Sequence, residues 1–283
     1  MTTLRANSLA KINLFLHVTG KEIGNYHSLD SLIVFAEDVY DVITITSSAE
    51  YQLNITGDGA KQLIGRPNII TTAVDALCKH FGKKPAITIT LNKHLPLGSG
   101  IGGGSSNAAT IVKLLCKLWQ VDDPGNDFLK SIGADVPACY FGEACYANGI
   151  GEIITPIIKF PDLWAVLVNP NIHITTSQIF KMGLEQFFKP EINHQYNFDS
   201  SDELIDLLKH TQNDLYFNSL QLVPILGNVI QVISECDDCV ISRMSGSGAT
   251  CFGLFTNKLV ANAAANKLQS LFPGYFVRTT KLK

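Results

Sequence analysis

Residues 96–109 read PLGSGIGGGSSNAA. Glycines at 98, 100, 102, 103 and 104 leave backbone N–H groups open to close approach. The helix formers that follow bring a helix N-terminus, with its positive dipole end, to the same place. Together these features make an anion site, best suited to a polyphosphate, and Ser105 and Ser106 add hydroxyl donors in the first turn. The plainer alternative is a flexible turn capped by serine. Fusion of the glycines to an alanine-rich amphipathic start favours the phosphate. The Walker pattern fails because Gly104 stands where a lysine belongs. The dinucleotide pattern G-x-G-x-x-G fits Gly98, Gly100 and Gly103, with Asp122 and Asp123 downstream. However, NKHLP separates the loop from the preceding strand, and the acidic pair precedes Pro124-Gly125 instead of ending a strand. The nucleophile elbow G-x-S-x-G is absent.

Other residues could do chemistry beside such a loop. Lys11 and Asn13 are two apart in a stretch of strand character, a spacing that points both side chains into one cleft. The alternative is a lysine on a solvent-facing strand. Asp135, in GADVP, reads either as a reactive carboxylate or as the cap of a segment opening with Val136-Pro137. Seven scattered cysteines suit reduced thiols in the cytoplasm. The one close pair, Cys236-Asp-Asp-Cys239, lacks the second pair or histidines of a structural zinc site, and no HExxH spacing occurs.

The elements that must position these residues follow from periodicity. From Leu9 to Val18 the pattern alternates, with Ile12, Leu14, Leu16 and Val18 on one face and Lys11, Asn13, Phe15 and His17 on the other, which predicts a strand. Residues 41–46 (DVITIT) and 51–56 (YQLNIT) are further strands with a turn between them, and 86–91 another. Asn68 caps a helix running to about His80 and ended by Gly82. Ser105 to Trp119 is a helix with Ala108, Ile111, Val112, Leu115 and Leu118 on its apolar side. The second half interleaves strands at 163–168, 239–243, 250–255 and 275–280 with helices around 201–209, 225–235 and 258–271. Pro156 and Pro161 flank a short connection that marks a boundary, giving units 1–157 and 158–283. Residues 184–212 are the least legible, and KPEINHQYNFDSSD reads as a loop.

The chain has 283 residues, 46% of them hydrophobic and 17% charged, with a net charge of −3. A sizeable core is expected and disorder is not. There is no basic run of the kind that grips nucleic acid or anionic membrane, no targeting signal, and no segment long enough to span a bilayer. Small molecules are the expected partners, and a monomer or weak homodimer in the cytoplasm the expected form.

The glycine loop resembles the second signature of the GHMP kinases, the galactose, homoserine, mevalonate and phosphomevalonate kinase superfamily. AKINLFLHVTGKEIGNYHSLDSL (10–32) and GADVPACYFGEACYANGIGE (133–152) are similar to the branch of that superfamily acting on cytidine-diphosphate methylerythritol. SGSGATCFGLF (245–255) resembles the third signature, and QNDL (212–215) is a minor match. The resemblance implies an α+β fold, with an N-terminal domain like ribosomal protein S5 domain 2 and a C-terminal ferredoxin-like domain. It implies transfer of the γ-phosphoryl of ATP to the 2-hydroxyl of that acceptor in the non-mevalonate isoprenoid pathway. Asp135, kept ionised by Lys11, is then the base. Asn68, Lys93 and the run Pro96, Leu97, Gly98, Ser99, Gly100, Ile101, Gly102, Gly103, Gly104, Ser105 and Ser106 then hold ATP. Magnesium then rides on the ATP phosphates, beside a helix start that offers hydroxyls but no carboxylate. Asn13, Tyr26, His27, Thr176 and Phe180 form the acceptor pocket: Tyr26 and Phe180 stack on the cytosine and His27 bonds its edge. The SGSGA turn adds backbone donors where the domains meet.

This sequence departs from the family at Asn25, which replaces the usual glycine before Tyr-His, and at Glu22, Ile23 and Gly24. Asparagine is the next best residue for a left-handed turn. The rivals are a kinase of homoserine or mevalonate type, whose small acceptors give Tyr26 no base to stack on, a non-catalytic nucleotide-binding module, and a nicotinamide-dependent dehydrogenase.

Overall fold

The computed structural model describes residues 2–22, 27–63, 65–183, 194 and 196–283. Two long strands, β1 (Thr3–Lys21) and β2 (His27–Ser47), pair antiparallel almost throughout. Their register shifts between Leu9 and Lys11, between Asn13 and Phe15, and between Val18 and Gly20. A bulge of this kind turns the following side chains over. Lys11 and Asn13 therefore do not share a face with Phe15 and His17, as plain alternation predicts. Leu14 and Phe15 both enter one core with Ile12, while Leu16 and Val18 enter another.

Among the described residues, β1 and β2 join β3 (Gln52–Thr56), β4 (Ile87–Asn92), β5 (Cys145–Gly149) and β6 (Ile153–Pro156) in a six-stranded sheet. The order is β3-β4-β2-β5-β6, with β1 on β2. β2 and β3 follow each other in sequence, yet β4 lies between them, parallel to β3 and antiparallel to β2. One face of this sheet packs on α2 (Ile69–Phe81) and α3 (Gly103–Trp119), with α1 (Ala60–Leu63), α4 (Asn126–Ile132) and α5 (Val136–Phe141) alongside. The cap signals hold: Asn68 Oδ1 accepts from Ile70 N, and Gly82 closes α2 at φ +62°.

The second half forms an antiparallel sheet of β7 (Trp164–Asn169), β8 (Ile241–Met244), β9 (Cys251–Phe255) and β10 (Phe276–Lys281), ordered β10-β7-β9-β8. Its helices are α6 (Thr176–Lys181), α7 (Ser201–Lys209), α8 (Tyr216–Leu222), α9 (Ile225–Ser234) and α10 (Lys258–Leu271). The three longer helices fall where periodicity places them. The short α4, α6 and α8 span two turns or fewer, too little for a period to register. Residues 196–200 run without helix up to α7, as the polar composition suggests. A middle core joins the sheets, with Ile12, Leu14 and Val34 from one meeting Leu167, Phe252 and Leu254 from the other. The fold is α+β, and no helix among the described residues is long and apolar enough to cross a membrane.

Candidate active site

A cavity of about 380 Å³ is lined from both halves of the chain. β1 and β2 contribute Lys11, Asn13 and Ser31; the loop before α3 contributes residues 96–100 and 102–105; Asp135 stands ahead of α5. The other wall comes from Thr176 and Phe180 of α6 and from Gly246 and Ser247.

Lys11 Nζ donates to Asp135 Oδ2 at 3.2 Å and to Asn13 Oδ1 at 2.9 Å. The lysine side chain is 4% exposed, whereas that of Asp135 is 41% exposed. Asp135 occupies the cap position of α5 but sits at φ −82°, ψ −8°, and its side chain makes no cap bond. A true N-cap takes extended backbone so that its oxygen reaches the first-turn N–H groups. Here the carboxylate is released from that duty and faces the cavity. The thiols of Cys139 and Cys145, from α5 and β5, are pushed up by burial, Cys145 to about 12, so neither adds a competing anion.

The glycine loop divides into two kinds of position. A Cβ on Gly100 (φ +74°) would fall 2.2 Å from Ser245 O and 2.7 Å from Gly248 N, and one on Gly98 2.3 Å from the His173 ring. At these two positions the protein itself packs against the bare backbone, and both still line the cavity. Gly103 and Gly104 open α3, whose cap residue Gly102 offers no side-chain bond. The first N–H groups of α3 lack intrahelical partners, as at any helix start, and Gly103, Gly104 and Ser105 line the cavity. Ile101 is fully buried in the middle core and Ser106 is buried within α3, so neither lines it. Asn68 spends its oxygen on the α2 cap, and its neighbour Ile69 takes the place on the wall.

Hydrogen bonds fix the loop from outside. Lys11 N donates to Ile101 O at 2.9 Å, Ile174 N to Gly98 O at 3.0 Å, and Thr250 N to Ser99 O at 3.0 Å. Ser245 Oγ donates to Gly100 O at 3.0 Å and accepts from Asn13 N at 3.1 Å. The QNDL stretch supports the same turn: Asn213 Nδ2 donates to Met244 O and to Gly246 O, both at 2.8 Å.

On the acceptor side, Thr176 Oγ1 and Ser247 Oγ are 3.0 Å apart, and the Phe180 ring stacks on His27 with centroids 4.5 Å apart. Burial first, and the Lys21 charge second, push the His27 imidazole below its ordinary value, which keeps it neutral, with one donor and one acceptor nitrogen. Tyr26 and Asn25 lie outside the described residues.

Residues 68–143 match the family described as GHMP kinases N terminal domain, and residues 200–274 the family described as GHMP kinases C terminal. The chain is 40% identical over 275 residues to a 4-diphosphocytidyl-2-C-methyl-D-erythritol kinase of Cereibacter sphaeroides, covering 96% of this chain and 97% of that one. It is 37% identical over 285 residues to the kinase of the same name from Paramagnetospirillum magneticum, covering 100% and 99%. A crystal structure of 4-(cytidine 5'-diphospho)-2C-methyl-D-erythritol kinase superposes with a TM-score of 0.80 at 26% identity, over 99% of both chains. The chain belongs to the 4-diphosphocytidyl-2-C-methyl-D-erythritol kinases of the GHMP superfamily.

In this kinase, sequence reasoning missed several residues that build the site. Ser31 accepts from Asn13 Nδ2 at 2.8 Å and so orients it. Gly151 brings its backbone beside Asp135, where a Cβ would stand 3.9 Å from Oδ1. Asp41, fully buried, pairs with Lys93, which is 2% exposed and lines the cavity. The register of β2 against β4 is the signal that joins these distant positions, and one sequence does not print it.

Proposed function

We infer that the chain transfers the γ-phosphoryl of ATP to the 2-hydroxyl of 4-diphosphocytidyl-2-C-methyl-D-erythritol, giving the 2-phosphate and ADP. It is a GHMP-family kinase and uses ATP. The observation that carries the site assignment is the Lys11–Asp135 pair, facing one cavity with the opening turn of α3. In this reading the N–H groups of residues 103–105 hold the phosphates against the dipole of a 17-residue helix. Asp135 accepts the hydroxyl proton as the oxygen attacks phosphorus. Lys11 stabilises the developing negative charge on the oxygen and on the moving phosphoryl group. Asn13 fixes the ammonium, and Ser31 and Ser245 fix Asn13. Positioning and electrostatics account for most of the catalysis in such transfers.

Magnesium enters, in our reading, with ATP. The described residues gather no group of three His, Cys, Asp or Glu side chains fit to hold an ion. Ser105 offers a hydroxyl on the cavity wall, which suits an ion already bound to phosphate and water oxygens. The cytidine ring belongs beside His27 and Phe180, where the neutral imidazole can read a base edge. We divide the chain into units 1–157 and 158–283 with the site between them. We assign it to the cytoplasm, because its seven cysteines are all free thiols.

The test measures ADP release from MgATP with the cytidine-diphosphate methylerythritol, homoserine and mevalonate in parallel. Release with the first alone is expected. Release with another acceptor would retain the kinase and overturn the substrate, and ATP binding without release on any acceptor would overturn the transfer.

A further inference from the structure

Lys93 and Asp41 form the most buried ion pair among the described residues: their side chains are 2% and 0% exposed. The buried Asp41 carboxylate accepts three hydrogen bonds from consecutive residues, from Lys93 Nζ at 2.5 Å, His94 N at 2.7 Å and Leu95 N at 2.8 Å. These residues lead directly into the glycine loop. Desolvating two charges is expensive, and replacing such a pair by apolar side chains is often neutral or stabilising. A structural account alone therefore gives weak reason for a lysine here.

Its placement gives a better one. Lys93 Nζ lies 3.1 Å from where a Cβ on Gly103 would stand, beside the first turn of α3, and Lys93 lines the cavity. Its stem is confined by Gly59, where a Cβ would fall 2.7 Å from Lys93 Cγ. The ammonium thus reaches the phosphate loop from beneath, through a slot that two glycines leave open. Burial pushes the lysine below its usual range and the Asp41 charge opposes that shift.

We propose that Asp41 is a positioning residue for the nucleotide: it holds the Lys93 ammonium and the backbone of residues 94–95 so that the glycine loop presents a fixed cation to the ATP phosphates. This rests on the ATP reading of the loop given above.

The experiment titrates the intact protein with the magnesium complex of a non-hydrolysable ATP analogue and, separately, with CDP as the acceptor-side probe. In Asp41→Asn the affinity for the analogue should fall about 10- to 100-fold, the worth of one charge-assisted hydrogen bond, with CDP affinity unchanged. A merely structural role would weaken both ligands together or neither, and either result overturns the proposal. Because Asp41→Asn leaves a lysine buried without its partner, the double variant Asp41→Leu, Lys93→Met is measured as well. If it melts like the wild type and binds the analogue with wild-type affinity, the proposal is overturned; a selective loss of analogue affinity supports it. Wild-type protein that binds CDP but not the analogue would overturn the ATP reading itself.

Discussion

In the proposed transfer, the unequal exposure of Lys11 and Asp135 favours the carboxylate as the group that meets the acceptor. The lysine is enclosed by Asn13, by Gly102, where a Cβ would stand 3.1 Å from the lysine's own Cβ, and by Asp135 itself. The carboxylate keeps an open side. A base needs that opening, since the substrate hydroxyl must approach within hydrogen-bond reach of it. Asp135→Asn preserves shape and removes the acceptor of the proton. Turnover should fall on the order of 100- to 10,000-fold, while the protein still folds with a modestly lower melting temperature, since the buried Lys11 loses its charged partner. Steady-state kinetics beside a thermal melt make the check; a folded Asn variant turning over like the wild type would sink the assignment. The sequence alone left Asp135 divided between cap and base. Its backbone angle and missing cap bond remove the cap reading, and such an angle leaves no mark in residue types.

At the scale of elements, the loop and the start of α3 separate two uses of glycine that look alike in the chain. Gly100 is locked between Ser245 and Gly248 at positive φ, whereas a Cβ on Gly104 would meet only Ile69 Cγ2, at an ordinary 3.6 Å. Gly100→Ala should therefore destabilise the protein by about 1–3 kcal/mol, through strain and overlap. Gly104→Ala should leave the melting temperature unchanged or raised, since alanine suits a helix better, and on the proposed phosphate site should weaken ATP binding by narrowing the approach to the first turn of α3. Melting curves with and without MgATP distinguish the two; equal behaviour of the variants would refute the division. The helix itself was legible from its apolar spacing, and so were β4 and α10, because one buried face imposes a period; β7, buried on both faces, was legible as a short continuous apolar run. The face assignment along β1 was not. Three register shifts interrupt the alternation, and both sides of the strand end up buried, so polarity no longer reports direction. Asp41 was invisible for a related reason: its partners are 52 to 54 residues away, and only the pairing of β2 with β4 brings them together.

Across the whole molecule, the end of the described chain returns to its beginning. Phe35 N donates to Lys283 O at 2.8 Å and Lys283 N donates to Phe35 O at 3.0 Å, while Leu282 N bonds Leu163 O at 2.9 Å. Leu282, 2% exposed, lies in the core that both sheets share. Arg243 adds a second tie: its guanidinium donates to Leu14 O of β1 at 3.0 Å and to Thr211 O beyond α7 at 2.6 Å. A cleft enzyme whose walls were independent bodies would spend substrate binding energy on bringing them together. Here the shared core has done so beforehand, which leaves more of that energy for the transfer step. The two sheets on either side of Pro156 share that middle core. It follows that the sheets unfold together. Leu282→Ala should cost about 2–5 kcal/mol and shift one calorimetric transition as a whole, although residue 282 pairs with one sheet and is covered by the other. If instead two transitions separate and only one of them moves, the sheets are independent, and the preorganised cleft that this packing implies does not exist.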